Sequence, residues 1–126
     1  MVNTNEIMKG NILYCYETGE NEIVVGFDSE YIYIDAITFD YLTPEDFEPV
    51  PLTGEILINT LGFENKVSGF FSTYGMLIIK RGIKGSVKFF YETNNTMINY
   101  VHELQNLYYA INKKHLTVNE SKQNLI

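Results

Sequence analysis

Apolar residues in this chain recur mostly in short alternating runs, separated every few positions by residues that favour turns. A period of two places successive side chains on opposite faces of a strand, so this pattern commits most of the chain to half-buried β-structure. Ile12–Tyr16 sets Ile12, Tyr14 and Tyr16 against Leu13 and Cys15, and Glu22–Phe27 is an apolar run. Tyr31–Ala36 sets Ile32, Ile34 and Ala36 against Tyr31, Tyr33 and Asp35. Thr18-Gly19-Glu20-Asn21 and Asp28-Ser29-Glu30 are the connections, built from residues that tolerate turn conformations. A second trio follows at Glu64–Phe71, Met76–Arg81 and Ser86–Tyr91, joined by Tyr74-Gly75 and by Gly82-Ile83-Lys84-Gly85.

Helical spacing is found in two places. Thr53 caps a first helix, with Leu52 and Leu57 as its hydrophobic staple and Ile56, Leu57 and Leu61 as its buried stripe. Gly62 stands where a left-handed C-terminal residue belongs, and Phe63 folds back onto the helix. The second helix spans about Tyr100 to Asn112, with Val101, Leu104, Leu107, Tyr108 and Ile111 on one face. Asp40–Pro51 reads as an acidic connector with one helical turn at Thr43-Pro44-Glu45-Asp46, and His115–Val118 as an edge strand. The expected class is α+β: two antiparallel three-stranded β-meanders, each followed by a helix, in the order βββα-βββα. Residues 1–118 are expected to form one domain, and 119–126 a polar tail.

Charge is divided along the chain. From Gly10 to Asn65 there are twelve acidic side chains and no lysine or arginine, whereas from Lys66 onward there are eight basic residues against three acidic ones. The net charge of −7 disfavours general nucleic-acid binding, which depends on neutralising phosphates. The single cysteine, Cys15, excludes an internal disulfide and a multi-cysteine zinc site; mid-strand among apolar neighbours, it reads as buried and inert. His102 and His115 form no metal-spaced pair, and the acids form no calcium loop. MVNTNEIMKG lacks the apolar core of a signal peptide and no run reaches membrane-spanning length, so the expected location is the cytoplasm with no membrane partner.

Two segments have the character of motifs. Pro49-Val50-Pro51-Leu52-Thr53-Gly54-Glu55-Ile56-Leu57 with Leu61-Gly62-Phe63-Glu64 is one. Ile98-Asn99-Tyr100-Val101-His102-Glu103-Leu104-Gln105-Asn106-Leu107-Tyr108-Tyr109-Ala110 is the other. Together with Gly10-Asn11-Ile12-Leu13 they resemble a widespread family of small, largely uncharacterised proteins of Bacteroides-type phages and prophages. The resemblance implies an accessory phage protein in the cytoplasm of a host cell; it implies no activity for any residue. The chain departs from that pattern after the helix, where Ile111-Asn112-Lys113-Lys114-His115-Leu116 is more basic.

The residues that point to chemistry are basic. Lys80, Arg81, Lys84 and Lys88 lie on and around one hairpin, with Gly82 and Gly85 in its turn. Backbone N–H groups in glycine-containing turns approach anions, and arginine adds a bidentate fork for phosphate oxygens. Phe89, Phe90 and Tyr91 follow, and Tyr74 precedes, so a ligand carrying both phosphates and a stackable base is the natural fit. An exposed hairpin made soluble by lysines is the plainer reading. The expected ligand-binding set is Arg81, Lys84, Lys88, Lys80, Tyr74 and Tyr91, with no catalytic residue, cofactor or metal. The leading function is non-enzymatic sequestration of a nucleotide-like immune signal by a homo-oligomer. The alternative is an acidic protein-binding inhibitor or nucleic-acid mimic acting on a host protein. A phosphodiester hydrolase lacks its acid–base pair, and no residue favours a virion component.

Overall fold

The computed structural model describes residues 1–35 and 41–119, which form two antiparallel sheets, one short α-helix, one long one and two single 3-10 turns, Thr4–Glu6 and the expected Pro44–Asp46. The first sheet contains β1 (Ile12–Cys15), β2 (Glu20–Phe27), β3 (Ile32–Ile34) and β4 (Phe47–Pro49), in the order β3-β2-β1-β4. The second contains β5 (Glu64–Val67), β6 (Phe70–Thr73), β7 (Met76–Ile83), β8 (Ser86–Tyr91) and β9 (Thr96–Ile98), each paired with the next. Helix α1 is Gly54–Asn59 and helix α2 is Val101–Asn112.

This sheet-rich arrangement overturns the expected βββα-βββα order. The acidic connector is not merely a connector, because Phe47–Pro49 pairs with β1 on the side away from β2. The run expected as one strand from Glu64 to Phe71 folds on itself at Ser68-Gly69, with Gly69 at φ +83, and yields both β5 and β6. Asn94-Asn95, with Asn95 at φ +60, turns the chain so that Thr96–Ile98 becomes a fifth strand. His115–Val118 is irregular instead of an edge strand, although Leu116 is buried and Asn119 N–H donates to the Thr60 carbonyl. Ala36 and residues 120–126, where the third expected strand ends and most of the expected tail falls, lie outside the described residues.

Local chemistry explains the elements that match. In the β2–β3 turn, Asp28 Oδ1 accepts from the backbone N–H groups of Glu30 and Tyr31, and Oδ2 accepts from the Tyr33 hydroxyl. These bonds hold the Asp28 carboxyl below its usual range. Thr53 Oγ1 accepts from Ile56 N–H at the start of α1. At its end Gly62 is left-handed, and Phe63 N–H returns 2.8 Å to the Leu57 carbonyl.

Two apolar cores result. One lies between the inner face of the five-stranded sheet and the helices; it contains Phe71, Ile78, Phe89, Tyr91, Leu57, Leu104 and Tyr108, and reaches Ile12. The other joins the far face of the first sheet, through Leu13, Cys15, Val24 and Phe47, to Val2 and Ile7 of the N-terminal segment. Helix α2 contacts both sheets, so it buries more than the single stripe its sequence predicts: His102 and Gln105 are buried with Val101, Leu104 and Tyr108, while Ile111 is exposed. Gln105 Oε1 accepts from Ile12 N–H at 2.8 Å, and its Nε2 donates to the Gly10 carbonyl at 3.0 Å. Asn11 Nδ2 donates to Asn106 Oδ1, and Asn106 Nδ2 to the Glu6 carbonyl. The Gly10-Asn11 opening and the Gln105-Asn106 pair of the helical motif are thus one polar joint. Among the described residues, no helix is long and apolar enough to cross a membrane.

Candidate anion-binding face

The β7–β8 hairpin carries the basic cluster, and strand register determines which cations meet. Arg81 is directly opposite Lys88, and Lys80 is opposite Phe89. Alternation therefore puts Arg81 and Lys88 on the outer face of the sheet and Lys80 on the other. The turn is tighter than its glycines predict. Gly82 is within β7, paired with Val87, and only Lys84 (φ +51) and Gly85 (φ +82) connect Ile83 to Ser86. Two consecutive positive φ values define a type I′ turn, whose twist matches that of the flanking strands. Lys84 is at its exposed tip.

Arg81 is held in place. Its guanidinium lies 5.1 Å from the centroid of the Phe90 ring, and Nη1 donates to Asn95 Oδ1 at 2.7 Å. The two contacts fix both the plane and the position of the fork, and they cover Phe90, which is buried although it points away from the main core. No ion pair involves Arg81, Lys84 or Lys88 among the described residues. Like charges directly opposed across a sheet destabilise it. The site therefore holds two unneutralised cations side by side, one of them oriented.

The remaining expected residues fall elsewhere. Tyr91 is in the core opposite Ile78, and no ligand reaches it without opening the sheet. Tyr74 is exposed at the far end of β7, where Lys114 Nζ lies 4.6 Å over its ring. The structure joins Arg81 to Lys88 and separates both tyrosines from them. Sequence reading missed Asn95, which sits in the β8–β9 hairpin turn, where Asn94 Oδ1 accepts from Thr96 N–H. It also missed Asn99 and Tyr100, which with Lys88, Met97 and Pro51 line a groove of about 490 Å³ beside the hairpin. Tyr100 is partly exposed there, its ring stacked on His102.

Cys15 is fully buried, and no three His, Cys, Asp or Glu side chains cluster as a metal site among the described residues. His102 is also buried, and its Nδ1 has no hydrogen-bond partner. Burial holds its pKa below the ordinary value, against the opposing pull of the Glu103 and Glu6 carboxylates. Glu103 itself caps α2, accepting from the N–H groups of Asn99 and Tyr100.

No protein-family model, no curated protein and no solved structure matches the chain. The comparisons supply no family, activity or partner, and the resemblance of the two motif segments stands on their residues alone.

Proposed function

We propose that this protein is a non-enzymatic binder of a phosphorylated small molecule, with the outer face of the β7–β8 hairpin as the anion site. The observation that carries this reading is Arg81, whose guanidinium is fixed by Phe90 and Asn95 opposite Lys88 and has no carboxylate partner. A preorganised fork binds phosphate oxygens without first losing side-chain freedom, and the adjacent ammonium adds a second charge. The groove with Asn99 and Tyr100 supplies amide and aromatic contacts for a base. Combined with the motif resemblance, the biological form of this reading is a phage accessory protein that sequesters a nucleotide immune signal in the host cytoplasm.

Calorimetry tests it with pyrophosphate, cyclic nucleotides and ADP-ribose as probes. Binding to at least one probe is expected, and Arg81→Gln with Lys88→Gln should weaken it at least tenfold. No binding to any probe, or unchanged binding in the double variant, removes the proposal.

A further inference from the structure

The outer face of the five-stranded sheet has a second property, independent of anion binding. Register aligns Val67 with Phe70, Phe70 with Ile79, Ile79 with Phe90, and Phe90 with Met97. One apolar side chain from each of the five strands thus forms a row across the sheet, covered at Phe90 by the Arg81 guanidinium. None of the five belongs to either core. Val67, Met97 and Phe70 are exposed to 62%, 47% and 42%. Beside the row, Val67, Phe70, Ser72 and Leu77 line an apolar recess of about 370 Å³. A connected apolar face of this kind on a sheet is an interaction surface.

The charges flanking the row identify what covers it. On β8, Lys88 stands two residues before Phe90 on this face, and Glu92, the first residue of the turn that follows the strand, stands two residues after it. Glu92 keeps the register, since its N–H donates to the Leu77 carbonyl. A two-fold axis along the apolar row reverses strand direction, lays the row on itself and sets Lys88 of each copy over Glu92 of the other. The surface is self-complementary in charge as well as in apolarity, which an isologous interface requires.

Its size sets the strength to expect. The five strands hold 25 residues, which at about 4.8 Å by 3.3 Å cover roughly 400 Å² in plane, the exposed β7–β8 hairpin included. That is about half of the approximately 800 Å² per partner of a stable interface, so the contact belongs to the small, weakly associating class.

The geometry points to a homodimer formed face to face by the β5–β9 sheets, with the Val67–Phe70–Ile79–Phe90–Met97 row on the two-fold axis. Stacked sheets leave about 10 Å between backbones, enough for one interdigitated layer of these side chains. Arg81, fixed over Phe90, then approaches its symmetry mate near the axis, a like-charge contact that opposes the dimer, while Lys88 is taken by Glu92 of the other copy. An anion held between the two guanidinium groups would relieve that repulsion; this consequence rests on the proposal of the preceding section, whereas the dimer does not.

Sedimentation equilibrium on the whole chain tests the dimer without any ligand. Wild type should show twice the 14.6 kDa chain mass at micromolar to submillimolar concentrations. Lys88→Glu and Glu92→Lys should each be weakened at least tenfold in self-association, because each sets like charges together twice. Mixing the two variants should restore a dimer containing one chain of each, since both contacts then become attractive. Circular dichroism checks that each variant is folded, and Met97→Glu provides an independent disruption at the row. A monomeric wild type, including one whose face is taken by an unlike partner, overturns the inference. So does a dimer unaffected by Met97→Glu, or a mixture of folded variants that does not re-form one. Pyrophosphate calorimetry on wild type and on Met97→Glu, which keeps Arg81 and Lys88, reports separately on the anion site.

Discussion

Gln105 shows how one side chain joins the long helix to the first sheet. It is buried, and it satisfies Ile12 N–H and the Gly10 carbonyl at the point where α2 meets β1. Truncation removes the partner of both groups, and the buried Ile12 N–H bears the larger part of the loss, about 1–3 kcal/mol for a group left unsatisfied. Gln105→Ala should therefore lower the urea midpoint by the equivalent of about 2 kcal/mol or more, whereas alanine at exposed Asn5 should change it little. His102 gives a second expectation at this scale. Its folded pKa lies below the ordinary value near 6.5, so the unfolded chain takes up a proton first as pH falls. Stability should decline as pH drops through and below about 6.5, and be insensitive to this group above that. His102→Phe, which keeps a ring beside Tyr100 and cannot be protonated, should flatten that part of a stability-versus-pH curve measured by urea denaturation.

Turns decide the elements. Gly85 and Gly75 are both left-handed, at φ +82 and φ +75, but only Gly75 is crowded: a side chain there would run into the Asn112 carboxamide at the end of α2. Gly85→Ala should cost the backbone term alone, about 1–2 kcal/mol. Gly75→Ala should cost more, because the clash adds to the same strain, and thermal melts of the two variants will rank them. Turn chemistry also marks the limit of what the sequence revealed. Gly62 with Phe63, the Thr53 cap and the alternation of Ser86–Tyr91 were legible because each is a local signal with a local cause. Phe47–Pro49 and Thr96–Ile98 were not, since a three-residue strand has too little pattern to stand out and exists only because a longer neighbour offers a free edge. Ser68-Gly69 was passed over because the apolar residues on either side read as one run. For α2 the period was legible but the number of buried faces was not: His102 and Gln105 are polar, and only the presence of a second sheet explains their burial.

At the scale of the molecule, the charge division follows the architecture. The base-free segment supplies the whole first sheet, and the basic hairpin extends from the second. The cluster of cations was visible in the sequence, but which of them meet was not, because register alone pairs Arg81 with Lys88 and sends Lys80 to the opposite face. Asn95 was invisible for the same reason: its contact with Arg81 spans fourteen residues and depends on the hairpins folding side by side. Salt provides a test at this scale. Anion binding at an exposed pair of cations should weaken steeply between low and high ionic strength, since charges at the surface are screened within about 10 Å at 0.1 M. A salt-independent affinity would point to an apolar contact instead.

The proposed function requires that the protein hold a phosphorylated ligand without altering it. The most direct measurement is equilibrium dialysis against a labelled nucleotide that binds in calorimetry, followed by denaturation of the complex and chromatography of what is released. Wild type should retain the ligand, the Arg81→Gln, Lys88→Gln variant should lose it, and the ligand should be recovered chemically intact. A cleaved product, or retention that ignores both substitutions, would contradict that function.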